Sequence, residues 1–259
     1  MEDTQINGWL PAGDLRFAAQ LEAIALGVAE LPYVTQSIPS AFLRTGGVWR
    51  AVGVLAPGDG RNRFVTKDQG LWRGHHVPAL LRAYPFRLQD RGGVMRLALW
   101  PGVPAEPLRD GVEPFFVDDE PAPLVRQAAS FLMAVQAEID RADPVLMLLD
   151  QAGALIPWIP PGFEAPLSLG GQEVRVLDVG ALANLPDGLI LDLHHQDALT
   201  WLYAHLHSLS LARLLKLDCK QVVPDAPTRA FPTPDRTVGR CTASDVLATI
   251  AADMGDFEL

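Results

Sequence analysis

The sequence predicts an α+β fold, with a strand-rich N-terminal half packed against a mainly helical C-terminal half as a single compact unit, followed by a flexible acidic tail. Three observations predict it. Short apolar runs separated by glycine turns fill Leu21 to Leu99, and period-two or fully apolar runs of that length are strands. After Pro123 the apolar residues recur at three- and four-residue intervals, the spacing of one helix face. Asp218 to Pro234 carries prolines 224, 227, 232 and 234 and no periodicity, as a solvated linker does. The divisions read from this are an α+β domain over 1–217, a proline-rich linker over 218–240 and a short amphipathic acidic tail helix over 241–259.

Each element has its own local cause. The candidate strands are Ala23–Ala29, Ser40–Leu43, Val48–Leu55, Arg63–Val65, Pro85–Leu88 and Val94–Leu99. Gly46-Gly47 and Gly92-Gly93 stand between such runs and supply the positive φ angles of tight hairpins. Pro78 to Ala83 reads as one short helix, opened by a proline whose missing N–H is harmless there and closed at Tyr84-Pro85. Leu124, Ala128, Phe131, Leu132, Val135 and Ile139 fall on one helix face. Pro144 is expected to interrupt it, with another turn or two through Asp150, and Pro157 to Pro161 is too rich in proline for a helix. A strand over Glu173–Leu177 follows the Gly170-Gly171 turn. Asp178 and Asp187 are placed to cap short helices. From His195, the residues Leu199, Leu202, Tyr203, Leu206, Leu209, Leu214 and Leu217 predict one long helix with a broad apolar face, which needs the strand-rich half to cover it. In the tail, Val246, Leu247, Ile250 and Met254 share a face ahead of Phe257, a docking element either for this protein's own body or for a partner groove.

Composition excludes several functions. Asp plus Glu number 31 against 21 Lys plus Arg, a net charge of −10, which disfavours nucleic acid because its affinity rests on cations neutralising phosphates. Cys219 and Cys241 are the two cysteines, too few for a disulfide framework or a cysteine zinc site. Glu2 and Asp3 stand where a secretory leader carries Lys or Arg, and no apolar run is long enough to span a bilayer. A cytoplasmic protein is therefore expected.

No nucleotide or acyl-transfer signature is present. Gly58-Asp59-Gly60-Arg61-Asn62-Arg63 lacks the lysine of a phosphate loop, and no serine sits in a Gly-x-Ser-x-Gly elbow. The histidines form the pairs His75-His76, His194-His195 and His205 with His207, whose spacings do not converge imidazoles on a helix, so no metal or other cofactor is expected. The densest cluster of recognition chemistry is Trp72, Arg73, His75, His76, Arg82, Tyr84 and Phe86, where aromatic faces, imidazoles and guanidinium groups suit a carboxylate- or amide-bearing ligand. Against this stands burial: Trp72, Tyr84 and Phe86, like Trp49, Trp158 and Trp201, also serve as core anchors.

At this segment the chain resembles the bacterial SapC family. The residues that carry the resemblance are Ile38-Pro39-Ser40-Ala41-Phe42-Leu43, Val52-Gly53-Val54-Leu55, Asn62-Arg63-Phe64-Val65, Gly70-Leu71-Trp72 and Val77 through Phe86. Glu113-Pro114-Phe115-Phe116, Ile156-Pro157-Trp158 and Asp178 to Leu193, leading into Ala204-His205-Leu206-His207-Ser208-Leu209, add to it. The family takes its name from a surface-layer gene cluster, so the resemblance implies a group without implying a reaction, a cofactor or catalytic residues. Members are often encoded beside TonB-dependent receptors, flavin-dependent halogenase-like proteins and cupin-like proteins, which implies an accessory role in uptake or modification.

The leading expectation is thus an accessory protein, more a binder than an enzyme, that holds a small molecule, peptide or enzyme partner through the aromatic block and the tail residues Val246, Leu247, Ile250 and Phe257. The rival is a metal-dependent oxygenase using His194, His195 and Asp197 with His75 or His76. A third reading is a surface-layer or export component. Monomer and homodimer stay open.

Overall fold

The structure is a computed structural model and describes residues 7–11, 13–58 and 60–216. The linker 218–240, the tail 241–259 with Val246, Leu247, Ile250 and Phe257, and both cysteines lie outside the described residues. Strands dominate the N-terminal half and helices the C-terminal half, as an α+β fold requires. The contacts gather in two compact units where the sequence reading expects one. Among described residues the first joins the N-terminal strand to Leu80–Ala134, and the second joins Leu15–Ala79 to the chain from Val135 onward.

The second unit is built on a five-stranded antiparallel sheet. Strands β2 (Ala23–Ala25), β3 (Ser40–Thr45), β4 (Val48–Val54), β11 (Leu155–Pro157) and β14 (Arg175–Leu177) lie in the order β11-β14-β3-β4-β2. The Gly46-Gly47 turn sets the register of β3 against β4, pairing Thr45 with Val48 and Ser40 with Gly53. Both glycines have positive φ, 60° and 85°, which the two-residue hairpin turn demands. Phe42, Ala51 and Val54 are fully buried on this sheet. Helix α4 (Ala142–Gln151) lies against β4 and is fastened by its acids: Asp143 accepts the Trp49 backbone N–H at 2.6 Å, and Asp150 pairs with Arg175 at 2.9 Å. The Arg44 and Arg175 guanidinium groups both face the Trp49 ring, at 5.8 and 5.9 Å. Two further short strands, β12 (Ser168–Leu169) and β13 (Gln172–Glu173), close a hairpin over Gly170-Gly171.

The first unit has a separate core. Strand β1 (Asn7–Trp9) lies between β7 (Glu106–Pro107) and β8 (Glu113–Pro114), and β5 (Phe86–Asp90) pairs with β6 (Met95–Leu99) across Gly92-Gly93. Trp9 stacks on Phe115 at 5.1 Å and meets Phe86 edge-on at 4.9 Å. These three aromatic side chains bury their area against one another. The β1–β8 approach is close enough that a Cβ on Gly8 would lie 2.0 Å from the Glu113 carbonyl oxygen. Gly8→Ala is therefore expected to push these strands apart and lower stability by about 2 kcal/mol, read as a lower urea midpoint at unchanged slope.

Three helix boundaries differ from expectation. Helix α3 (Pro123–Asp140) ends before α4, and Pro144 stands inside the first turn of α4, where a missing N–H breaks no bond. Asp187 is the first residue of α6 (Asp187–His195) and follows an N-cap at Pro186, whereas Asp178 does cap α5 (Val179–Ala183), accepting the Gly180 N–H at 3.0 Å. The long helix expected from His195 onward is three pieces. Asp197 takes a left-handed conformation at φ 53°, α7 runs over Ala198–Ser208, and a 3-10 helix follows over Leu209–Lys216.

Candidate functional site

The aromatic block that is contiguous in sequence is shared between the two units. Trp72, Arg73, His75 and His76 belong to the second unit, while Arg82, Tyr84 and Phe86 belong to the first. Trp72 is a core anchor, 3% exposed, with its indole N–H donating to the His76 carbonyl at 2.9 Å. The Arg73 backbone N–H donates to Phe64 O. His75 is exposed, its N–H bonded to Ser37 Oγ at 2.8 Å. The His76 ring stands 6.0 Å from the Tyr33 ring, with Nε2 at 3.6 Å from Glu30 Oε2, beyond hydrogen-bond distance.

Glu30 is the residue of this region that sequence reasoning missed. It is 7% exposed, and its two oxygens accept the backbone N–H groups of Gly27 at 3.1 Å and Ala79 at 2.8 Å. It thereby fixes the turn before α1 (Leu31–Val34) and the start of α2 (Ala79–Arg82). Its one sequence signal is an acid interrupting an apolar run just before Leu31-Pro32.

In the first unit the Arg82 guanidinium lies over the Phe131 ring at 5.8 Å. Tyr84 is half-buried, and desolvation together with the Asp14 charge holds its hydroxyl pKa above the ordinary value. Phe86 is buried against Trp9.

A second missed constellation lies in the second unit. Ser40 at the head of β3, His205 and Ser208 on α7, and the end of β14 meet in the core, all three side chains fully buried. Ser40 Oγ is 3.0 Å from His205 Nδ1 and 3.0 Å from Ser208 Oγ. A serine next to a histidine invites a nucleophilic reading, but the protons run the wrong way for one. His205 Nε2 accepts the Leu177 backbone N–H at 3.2 Å, so the neutral ring carries its hydrogen on Nδ1 and donates it to Ser40. Ser40 in turn donates to Ser208, which also accepts the Ser40 N–H at 3.0 Å and donates to the His205 carbonyl at 2.6 Å. Every donor has its acceptor. A base must accept the nucleophile's proton, and this imidazole has no free nitrogen to do so. Burial lowers the His205 pKa to about 3, so the ring is neutral at physiological pH and pins α7 to β3 and β14.

Among the described residues no three His, Cys, Asp or Glu side chains converge to hold a metal. His194 and His195 sit in the last turn of α6 with ring centroids 6.0 Å apart, and the His194, His195 and Asp197 set of the oxygenase reading is not gathered with His75 or His76.

The open chemical feature is apolar. In the first unit Phe86, Leu97, Leu99, Phe115, Phe116 and Val125 line a cleft of about 270 Å³. Phe116 is 52% exposed at its mouth, and Val94 and Met95 are exposed at the end of the β5–β6 hairpin. The volume falls below that of small-molecule pockets, roughly 300–1,000 Å³, and suits one or two anchoring side chains. The register of the hairpin puts Phe86, Leu97 and Leu99 on one face and Arg87 and Arg96 on the other. Sequence signal for this cleft existed in Glu113-Pro114-Phe115-Phe116, two adjacent aromatics that cannot both point inward from one strand.

The family model of SapC matches residues 7–215. Neither the curated proteins nor the solved structures contain a match. The chain belongs to the SapC family. The sequence blocks on which the resemblance rested take part in the architecture just described: Ser40 and His205 come from two of them, and a third contributes Asn62, which is 1% exposed and donates its side-chain N–H to the Ala18 carbonyl at 3.0 Å. No described helix is long and apolar enough to cross a membrane.

Proposed function

We propose, from membership of the SapC family, that the chain is an accessory binding protein whose first unit takes an apolar-faced segment of a protein partner into the cleft between the β5–β6 hairpin and Phe115-Phe116. The observation that carries this reading is the cleft itself: exposed, apolar, and sized for side-chain anchors. Phe86, from the aromatic block, serves there as part of the lining and not as a free contact surface. The partner belongs to a modification or uptake system, a halogenase-like or cupin-like protein or a TonB-dependent receptor, and its segment presents apolar anchors to the cleft.

The test is a binding titration of the purified full-length chain with each of those partner types. Phe116→Asp is expected to weaken binding about tenfold or more, because it removes an anchor of roughly 1.5–3 kcal/mol, while leaving the unfolding midpoint within error, since Phe116 is half exposed. Unchanged affinity in Phe116→Asp, or no affinity for any of the three classes, refutes the reading.

A further inference from the structure

We infer that the partner segment enters this cleft as an extended strand added antiparallel to β6, with apolar residues on the cleft face alternating with acids on the opposite face. The inference rests on the accessory reading and gives its partner a chemistry. The hairpin itself dictates the free edge. The Arg91 N–H donates to the Val94 carbonyl at 3.0 Å and the Trp100 N–H to the Pro85 carbonyl at 2.9 Å. Between these bonds the register sets Gln89 against Arg96 and Arg87 against Ala98. Antiparallel pairs alternate between bonded and non-bonded, so Arg96 and Ala98 turn their backbone groups to β5, while Met95, Leu97 and Leu99 turn theirs away from it. The strand beside β6 is β5, and among the described residues no backbone carbonyl takes the Met95, Leu97 or Leu99 N–H. The Leu99 carbonyl receives Arg87 Nε at 3.1 Å, which leaves Met95 and Leu97 with both backbone groups open. The cleft follows β6 along Leu97, Ala98 and Leu99 but meets β5 at Phe86 alone. A segment seated there lies beside a row of donors and acceptors spaced for another strand.

Side chains then select the occupant. Residues directly opposite each other in a sheet share a face. On the cleft face the added strand stands beside Met95, Leu97 and Leu99, so its residues there are apolar. The opposite face of the hairpin carries Arg87, Gln89 and Arg91 from one arm and Val94, Arg96 and Ala98 from the other. It holds three cations and no acid, in a chain whose net charge is −10. Arg87 and Arg91 bond neutral acceptors, the Leu99 carbonyl and Gln89 Oε1, and among the described residues none of the three pairs with an acid. The residue set opposite Arg96 is therefore an acid, as is the one opposite Ala98, which has Arg87 on its far side. This face also turns away a second copy of the chain, whose own Arg87 and Arg96 would join it without a counter-charge.

The probe is a fluorescein-labelled heptapeptide of alternating valine and glutamate, titrated into the full-length chain and read by fluorescence anisotropy. In the antiparallel pairing each valine turns its backbone N–H to β6 and each glutamate turns its own to solvent. N-methylation of two inner valines is expected to weaken binding about tenfold or more, and N-methylation of two glutamates by less than about twofold. Arg96→Glu should weaken the valine–glutamate peptide about fivefold and favour its valine–lysine counterpart by a similar factor. No saturable binding, equal losses from the two methylation patterns, or a larger loss at the glutamates overturns the inference. A chain that sediments as a dimer which the peptide does not dissociate overturns it as well, in favour of a second copy on β6. Phe116→Asp separates this inference from the reading beneath it. If that variant loses affinity for the partner proteins while the two methylation patterns act alike, the accessory reading stands and strand addition falls. A valine-specific loss without affinity for any partner class keeps the strand-binding edge and refutes the accessory reading.

Discussion

Replacing His205 with alanine is expected to cost the fold about 3–5 kcal/mol, the largest single effect in the molecule. The imidazole is fully buried, stacks near the Phe42 ring at 4.2 Å, and holds hydrogen bonds to Leu177 N–H and Ser40 Oγ. Its removal opens a cavity, leaves the buried Leu177 amide without its acceptor and takes away the hydrogen bond that Ser40 Oγ accepts, and these penalties add. Against a typical total stability of about 5–15 kcal/mol, this is a large share, read as a lower urea midpoint. Titration separates this role from mere bulk. In the unfolded chain the imidazole has its ordinary pKa near 6.5, whereas in the fold it is about 3. Below 6.5 the unfolded state therefore takes up a proton that the native state refuses. The stabilisation is complete above pH 6.5 and is lost progressively as pH falls toward 3, at about 1.4 kcal/mol per pH unit. By pH 5 the loss is roughly 2 kcal/mol. Urea unfolding at pH 7.5, 6 and 5 should show this slope in the natural chain and a shallower one in His205→Asn, which cannot protonate. Parallel curves for the two proteins would show that His205 is not held neutral by its core site.

How much of this was visible in the sequence depends on the range of the interaction. The β3–β4 and β5–β6 hairpins were legible because adjacent glycines with positive φ dictate a turn within four residues. The Asp178 cap was legible for the same reason, its bond reaching only to Gly180. The expected core tryptophans, Trp49, Trp158 and Trp201, are indeed buried. The buried face of α7 was not legible. It runs Ala198, Trp201, Leu202, His205 and Ser208, a regular helical stripe with two polar members, so a hydrophobicity reading slides toward Leu199, Leu206 and Leu209. What makes His205 and Ser208 acceptable in the core is Ser40, some 165 residues away, and no local pattern reports a partner at that distance. The break at Asp197 was equally silent, since aspartate enters the left-handed region without the glycine that usually announces it.

The division of the aromatic block between the two units has a different origin. Trp72 to Phe86 is one stretch of chain, and proximity in sequence suggested a shared pocket. The unit boundary falls inside it, between Ala79 and Leu80, so the aromatic residues anchor different cores. Phe86 meets Phe115 and Phe116 at the cleft only through the pairing of the β5–β6 hairpin and the return of the chain beside β1.

Glu30→Gln is expected to destabilise the fold by about 2 kcal/mol although it changes a single atom. The carboxylate accepts one backbone N–H on each oxygen, from Gly27 and from Ala79. Both donors are fixed by the backbone, so an amide must present its own N–H₂ to one of them, replacing a charge-assisted bond with two donors face to face. Glu30→Ala removes both acceptors and should cost about 3 kcal/mol, the desolvation penalty of two buried amides. The Ala79 amide supplies a local readout: hydrogen exchange there should quicken by roughly tenfold or more in Glu30→Gln, while amides in the β3–β4 hairpin exchange as before wherever opening is local. His76→Ala should leave the Ala79 amide protected, since the imidazole stands 3.6 Å from the carboxylate and makes no hydrogen bond that the turn depends on. If Glu30→Gln exchanges like the natural chain and His76→Ala does not, the turn is held by the imidazole, and the carboxylate is only its counter-charge.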